Sequence, residues 1–211
     1  MRRAKTSSPF SFILHIHYLK TNMRLSDILL HLLVVGACHG LVTKPLPEKV
    51  IVGYASRCDD VSVIRAVEQG VNVVVWSFIR FPQYMKTSSR HQETQQVRPA
   101  IETTMDVECI RREIQRINLL YDDVVHLASF GGWNGAHPDG IYKSEHIYGT
   151  WKKLYGDLFD GIDWDLEGND DMQSPHNYFT LDCLDKMGHV SQLAKSGRSH
   201  KLVSTCTYII P

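Results

Sequence analysis

The chain has 211 residues, 43% of them apolar and 22% charged, with a formal net charge of zero. That length is enough for one globular domain with a sizeable core, and the composition excludes an intrinsically disordered chain. The balanced charge leaves no basic excess for binding nucleic acid and no polybasic stretch to hold the chain on an anionic membrane.

Near the N-terminus, Met23-Arg24 precedes an apolar run from Ile28 to Cys38 that only His31 interrupts. Gly36, Ala37, Cys38 and Gly40 supply a small-residue end. A charged start, an apolar middle and a small-residue end make a secretory signal peptide. The run is too short for a membrane-spanning helix, which takes about 20 residues. A buried core helix would carry a polar face, which this run almost lacks. Residues 1–40 therefore read as an N-terminal extension and signal peptide, and the protein as secreted. Met1 to Asn22 hold a basic start and a second apolar patch from Phe10 to Leu19, with no structural use; Met23 is the expected start of translation. The chain has five cysteines. Without Cys38, the remaining Cys58, Cys109, Cys183 and Cys206 permit two disulfides in any of three pairings, or four buried thiols. No Cys-x-x-Cys pair exists, so a structural zinc site is not expected. There is no Asn-x-Ser/Thr acceptor for N-glycosylation.

From Lys49 the pattern becomes regular. Val50 to Ala55 reads as a buried strand. Asp59 and Asp60 can cap a helix through Val61, Ile64, Ala66 and Val67 that ends at Gly70. Val71 to Ile79 is a second β-branched run. Pro82 to Met105 is polar and reads as a long surface loop. Asp106 opens an amphipathic helix through Ile110, Ile114, Ile117 and Leu120. Val124 to Phe130 is a third strand, closed by Gly131-Gly132. Ser144 to Phe159 predicts a helix with Tyr148, Trp151, Leu154, Tyr155 and Leu158 on its apolar side. Gly161 to Leu166 is a fourth strand, Asn177 to Lys195 a helix stopped by Gly197, and Lys201 to Ile210 a fifth strand. Strands apolar on both faces, alternating with helices, belong to a parallel sheet covered by helices. The candidates are an open doubly wound sheet and an eight-unit barrel. The first strand-to-helix turn, Ser56-Arg57-Cys58-Asp59, lacks the glycines that a dinucleotide pyrophosphate requires, and no phosphate loop appears elsewhere.

The segment Asp160-Gly-Ile-Asp163-Trp-Asp165-Leu-Glu167-Gly168 is the most unusual in the chain. Side chains on a strand alternate faces, so Asp163, Asp165 and Glu167 form a row with steps of about 6.6 Å, while Trp164 and Leu166 point the opposite way. Glu167 sits at the C-terminal end of the strand, where active sites of parallel α/β proteins lie. An inward row of acids cannot be fully ionised, so its members share protons and titrate as a set. An acid that keeps its proton near neutral pH can protonate a glycosidic oxygen. Three other readings compete. A solvated edge strand would leave the row of like charges without purpose. An EF-hand would need Glu at its twelfth position, which is Ser174, and a preceding helix. A metal-dependent sugar transferase would use Asp-x-Asp.

Asp160-x-x-Asp163-x-Asp165-x-Glu167 resembles the Asp-x-x-Asp-x-Asp-x-Glu signature of glycoside hydrolase family 18, the chitinase-like proteins. In that family the signature lies on the fourth barrel strand, and here it falls on the fourth predicted strand. Ser129-Phe130-Gly131-Gly132 resembles the family's Ser-x-Gly-Gly on the third strand, and Trp133-Asn134 extends the match. The resemblance implies a (β/α)8 TIM-barrel type of α/β fold, truncated after about the fifth strand, with residues 49–211 a partial catalytic domain. It implies hydrolysis of β-1,4 bonds in chitin or related N-acetylglucosamine polymers, with retention of configuration and the substrate's acetamide as nucleophile, outside the usual two-carboxylate scheme. By the same resemblance Glu167 is general acid and then base, Asp165 orients the acetamide, and Asp163 shares a proton with Asp165. Asp160, of opposite strand parity, is structural support. Ser129, Gly131 and Gly132 support the motif, with Ser129 and Gly131 beneath the catalytic strand. Tyr54 and Trp133 either line the sugar groove or belong to the core. No metal or organic cofactor is implied, and the partner is chitin or an N-acetylglucosamine oligosaccharide. The family's later Met-x-Tyr strand and floor Trp have no counterpart in the sequence. A sugar-binding lectin of the same family is the rival function, and an inactive truncated product a further one. Lectins of the family often lack the final Glu, which Glu167 supplies here. Chitin and N-glycan substrates, and endo and exo action, are not distinguished.

Overall fold

The computed structural model describes residues 44–58, 61–82, 100–138, 142–196 and 201–205. The signal peptide, the Asp59-Asp60 cap, the Gly197 stop, Cys206 and the end of the last predicted strand lie outside them.

The first strand, β1 (Val52–Ala55), leads to helix α1 (Val61–Glu68) and strand β2 (Val73–Arg80). A short strand β3 (Glu102–Thr103) precedes α2 (Val107–Leu120) and β4 (Val125–Gly132). Helix α3 (Ser144–Tyr155), strand β5 (Gly161–Leu166), a 3-10 turn (Pro175–Asn177), helix α4 (Leu181–Ser196) and strand β6 (Leu202–Thr205) complete the order. The sheet order is β1-β2-β4-β5-β6, and each neighbouring pair is parallel. The fold is thus a parallel α/β sheet with alternating strands and helices, as the sequence predicts. Among the described residues the sheet is not closed, and β1 and β6 are its edges.

Each helix forms where its apolar residues recur at a helical spacing. Asp106 caps α2 by accepting the Cys109 N–H at 3.0 Å, and the buried face runs through Cys109, Ile110, Ile114 and Ile117. Gly70 ends the turn after α1 at φ +119°, a conformation glycine adopts without strain. The outer face of the sheet packs these helices over Trp76, Phe130, Trp164 and Leu166. The Phe130 and Trp164 rings lie 5.1 Å apart, and Trp164 Nε1 donates to Ser191 Oγ on α4 at 2.9 Å. The inner face holds Val73, Val75, Val125 and Leu127, with Leu202 packed against them.

Several sequence expectations need correction. Part of the predicted loop before Met105 is strand β3, which pairs antiparallel with β2 at Ile79 and Arg80. Helix α3 stops at Tyr155 and buries Ile147, Trp151 and Tyr155, spaced by one turn, while Leu154 faces solvent. Helix α4 starts at Leu181 rather than Asn177, because Ser174 Oγ caps the 3-10 turn by accepting the His176 N–H. Of the cysteines, Cys58 and Cys109 form a disulfide that ties the loop after β1 to α2. Cys183 is buried on α4, with its sulfur 3.8 Å from that of Met187.

Candidate active site

The acid row stands on β5, held by the two strands beside it. Parallel register sets Ser129 of β4 against Asp163 and Gly131 against Asp165, and sets Ser204 of β6 on the other side of Asp163. Ser129 therefore stands beside Asp163 rather than beneath it. The same inner face receives Tyr54, because Tyr54 pairs with Val75 of the inner layer. Trp164 and Leu166 point outward into the helix layer, as strand parity requires.

Asp163 is only 2% exposed. Its Oδ2 accepts the Tyr54 hydroxyl at 3.0 Å and the Ser129 hydroxyl at 2.8 Å, and its Oδ1 accepts the Ser204 hydroxyl at 2.5 Å. Hydroxyl donors from three strands converge on one carboxyl, which is how a buried acid is kept satisfied. The next acid, Asp165, is half-buried and has no comparable set of donors; burial, then Glu167, then Asp163 push its carboxyl up to about 6. A proton is therefore available in the middle of the row under mildly acidic conditions. Glu167 is half-exposed at the C-terminal end of β5, within reach of a ligand on that face.

The two glycines of the motif act through space. A Cβ on Gly131, at φ +119°, would stand 2.3 Å from the Asp165 carbonyl oxygen, so a side chain there would push β4 off the acid strand. A Cβ on Gly132, at φ +87°, would stand 2.8 Å from the Phe78 ring. Asp160 lies at the opposite end of β5. Its Oδ2 accepts the His126 N–H at 2.9 Å, and its backbone joins His126 O and Leu202 N, so it ties the starts of three strands together. Burial raises the Asp160 carboxyl, opposed by the His126 N–H and by Lys44 and Lys201. Asp160 is thus remote from the open end of the row.

Tyr54 is 47% exposed and Trp133, just beyond β4, is 54% exposed, so neither belongs to the buried core. Ser204 is the site residue that the sequence did not single out. Its only signal is a polar residue at inner-face parity in the run Leu202-Val203-Ser204. Among the described residues no group of three His, Cys, Asp or Glu is placed to hold a metal ion, and no helix is long and apolar enough to cross a membrane.

No protein-family model matches the chain, and no curated protein is significantly similar to it. Solved structures do overlap it. One is a mutant family 18 chitinase from Cycas revoluta in complex with (GlcNAc)4, at TM-score 0.47 and 13% identity, over 76% of this chain and 46% of that one. Another is a family 18 chitinase from Pseudoalteromonas aurantia, at TM-score 0.42 and 16% identity, over 74% of this chain and 55% of that one. The chain spans about half the length of these chitinases. At such values the overlap carries no argument about chemistry, which must come from the acid row itself.

Proposed function

We propose that the protein is a secreted glycoside hydrolase acting on β-1,4 bonds of chitin or chitin-like N-acetylglucosamine oligosaccharides. The observation that carries the reading is the row in which Asp163 and Asp165 share one face of β5 and Glu167 follows just past its C-terminal end, grading from buried to half-exposed. Glu167 protonates the leaving oxygen while the substrate's acetamide oxygen attacks the anomeric carbon. It then takes a proton from the water that opens the oxazolinium ion, with net retention. Asp165, as the carboxylate, accepts the acetamide N–H and so orients the acetamide oxygen for attack. Asp163, fixed by three hydroxyls, stands behind it on the same face. Trp133, exposed beyond β4, offers a face on which a sugar ring can stack.

The test is hydrolysis of N-acetylglucosamine oligosaccharides by the 211-residue chain and by Glu167→Gln. The expected outcome is β-anomer released first by the parent, with hydrolysis lost and binding kept in the variant. Binding without hydrolysis in the parent would support the lectin reading, which the exposed Trp133 also favours. A parent that neither binds nor hydrolyses these oligosaccharides refutes the proposal.

A further inference from the structure

The chain leaves β5 at Glu167 and Gly168, and polar groups from separate segments close on the stretch that follows. The Asn134 N–H donates to the Gly168 carbonyl at 3.0 Å. Asn177 Oδ1 accepts the Asn169 N–H at 2.7 Å, and Asn177 Nδ2 donates to the Asp171 carbonyl at 2.8 Å. Asn169 Nδ2 donates to Asn134 Oδ1 at 2.5 Å and to Ser174 Oγ at 2.9 Å. Because an amide oxygen only accepts, His176 Nδ1, 3.0 Å from Asn134 Oδ1, is the donor there. Asn134 sits at φ 55°, a left-handed conformation that asparagine tolerates better than most residues.

The glycine itself gives an independent observation. A Cβ built on Gly168 would lie 2.1 Å from Asn177 Oδ1 and 2.9 Å from its Cγ. The Asn177 amide fills the space that any side chain at position 168 would need. None of these residues belongs to the acid motif.

We infer that Asn177 is a positioning residue: its amide, seated against Gly168 and linked to Asn134 through Asn169, fixes the segment that follows Glu167 and so holds the acid in place. The inference rests on the reading of Glu167 as acid and base. Proton transfer demands that a carboxyl stand within hydrogen-bond reach of the glycosidic oxygen. A misplacement of about 1 Å can cost roughly a hundredfold in rate. An acid at the end of a strand has a following segment that can drift. Here two amide side chains lock that segment to the loop after β4.

The test compares Asn177→Ala, Gly168→Ala and the double variant in the full chain, with two readouts. The first is amide hydrogen exchange at residues 168–171, which needs no activity; the second is kcat and KM on N-acetylglucosamine oligosaccharides. Asn177→Ala should speed exchange at the Asn169 amide by roughly tenfold or more while the β5 amides keep their protection. It should lower kcat by roughly tenfold to a hundredfold with KM within about twofold. Gly168→Ala should do the same, and the double variant should be no worse than the poorer single, because both changes remove one device. Unchanged exchange in Asn177→Ala, or faster exchange with unchanged kcat, overturns the inference, and so do single effects that multiply. If the parent hydrolyses nothing, the acid-base reading fails. Exchange alone then decides whether the clasp on the segment after β5 exists.

Discussion

Replacing Asp165 with asparagine should make the protein more stable and less active, with the gain confined to one pH range. The carboxyl is raised from 3.8 to about 6, by burial first, then by Glu167 and Asp163. A shift of that size corresponds to ~3 kcal/mol at full strength. The side chain is only half-buried, and solvent screening reduces the figure to on the order of 1 kcal/mol. The folded chain binds this proton more tightly than the unfolded chain does. The Asp165 contribution is therefore most favourable below 3.8 and is lost as pH rises through about 6. Asparagine has nearly the same shape and no charge to desolvate. Urea unfolding of parent and Asp165→Asn over a pH series is the assay. The difference should be close to zero near pH 4 and should reach on the order of 1 kcal/mol in favour of the variant above pH 6. Hydrolysis should fall by roughly a hundredfold or more, since the carboxylate charge that accepts the acetamide N–H is gone. A difference that stays flat with pH, or a variant less stable at neutral pH, would refute the reasoning.

His126 should give the opposite slope. Burial, and then Lys44, lower its imidazole from 6.5 to about 3, and Trp76 Nε1 donates to its Nδ1 at 3.3 Å. The unfolded chain takes up this proton first, so stability falls as pH drops from 6.5 toward about 3, by several kcal/mol. His126→Phe should flatten that limb in the same urea series. Ser129→Ala removes a 2.8 Å donor from buried Asp163 and should cost about 1.5–3 kcal/mol at neutral pH. Tyr54→Phe should cost less, because the ring is half-exposed and water can replace the hydroxyl; denaturation midpoints rank the two. Opening the Cys58–Cys109 bridge, which spans 51 residues, by substituting Ser at both positions should destabilise by up to about 4 kcal/mol in the chain-entropy account. Calorimetry of oxidised parent and double variant measures this.

Periodicity made most of the sheet legible in the sequence. Strand β5 shows acids and large apolar residues in strict alternation, so both its faces could be assigned, and the parallel register then brought Ser129 to Asp163. Strand β3 was not legible, because Glu102-Thr103 are polar and two residues carry no period; they form a strand because β2 offers an edge there. The face of α3 was read one position too wide, since Leu154 is apolar yet exposed, and only packing against the sheet distinguishes it from Trp151. The donors on Asp163 were read unevenly for a similar reason. Ser129 lies in a motif and Tyr54 is a conspicuous aromatic, whereas Ser204 is an ordinary serine whose meaning comes from strand order. Asn134 extends a motif match and Asn177 opens a predicted helix, and nothing in the sequence links either to Asn169, because their bonds depend on how separate segments meet.

The Tyr54–Asp163 bond also measures the sheet. β1 and β5 are separated by β2 and β4. In a flat sheet three steps of about 4.8 Å would put the two residues about 14 Å apart, with side chains standing parallel. A 3.0 Å contact is then out of reach, so the bond is a chord drawn across a curled wall. Ser204, the register partner of Asp163 on the adjacent strand β6, holds the same carboxyl from the other side. One acid thereby latches the curvature of the surface on which a sugar would lie. Shape and charge cannot be varied separately at this position: Asp163→Asn would change the radius of the groove along with its potential.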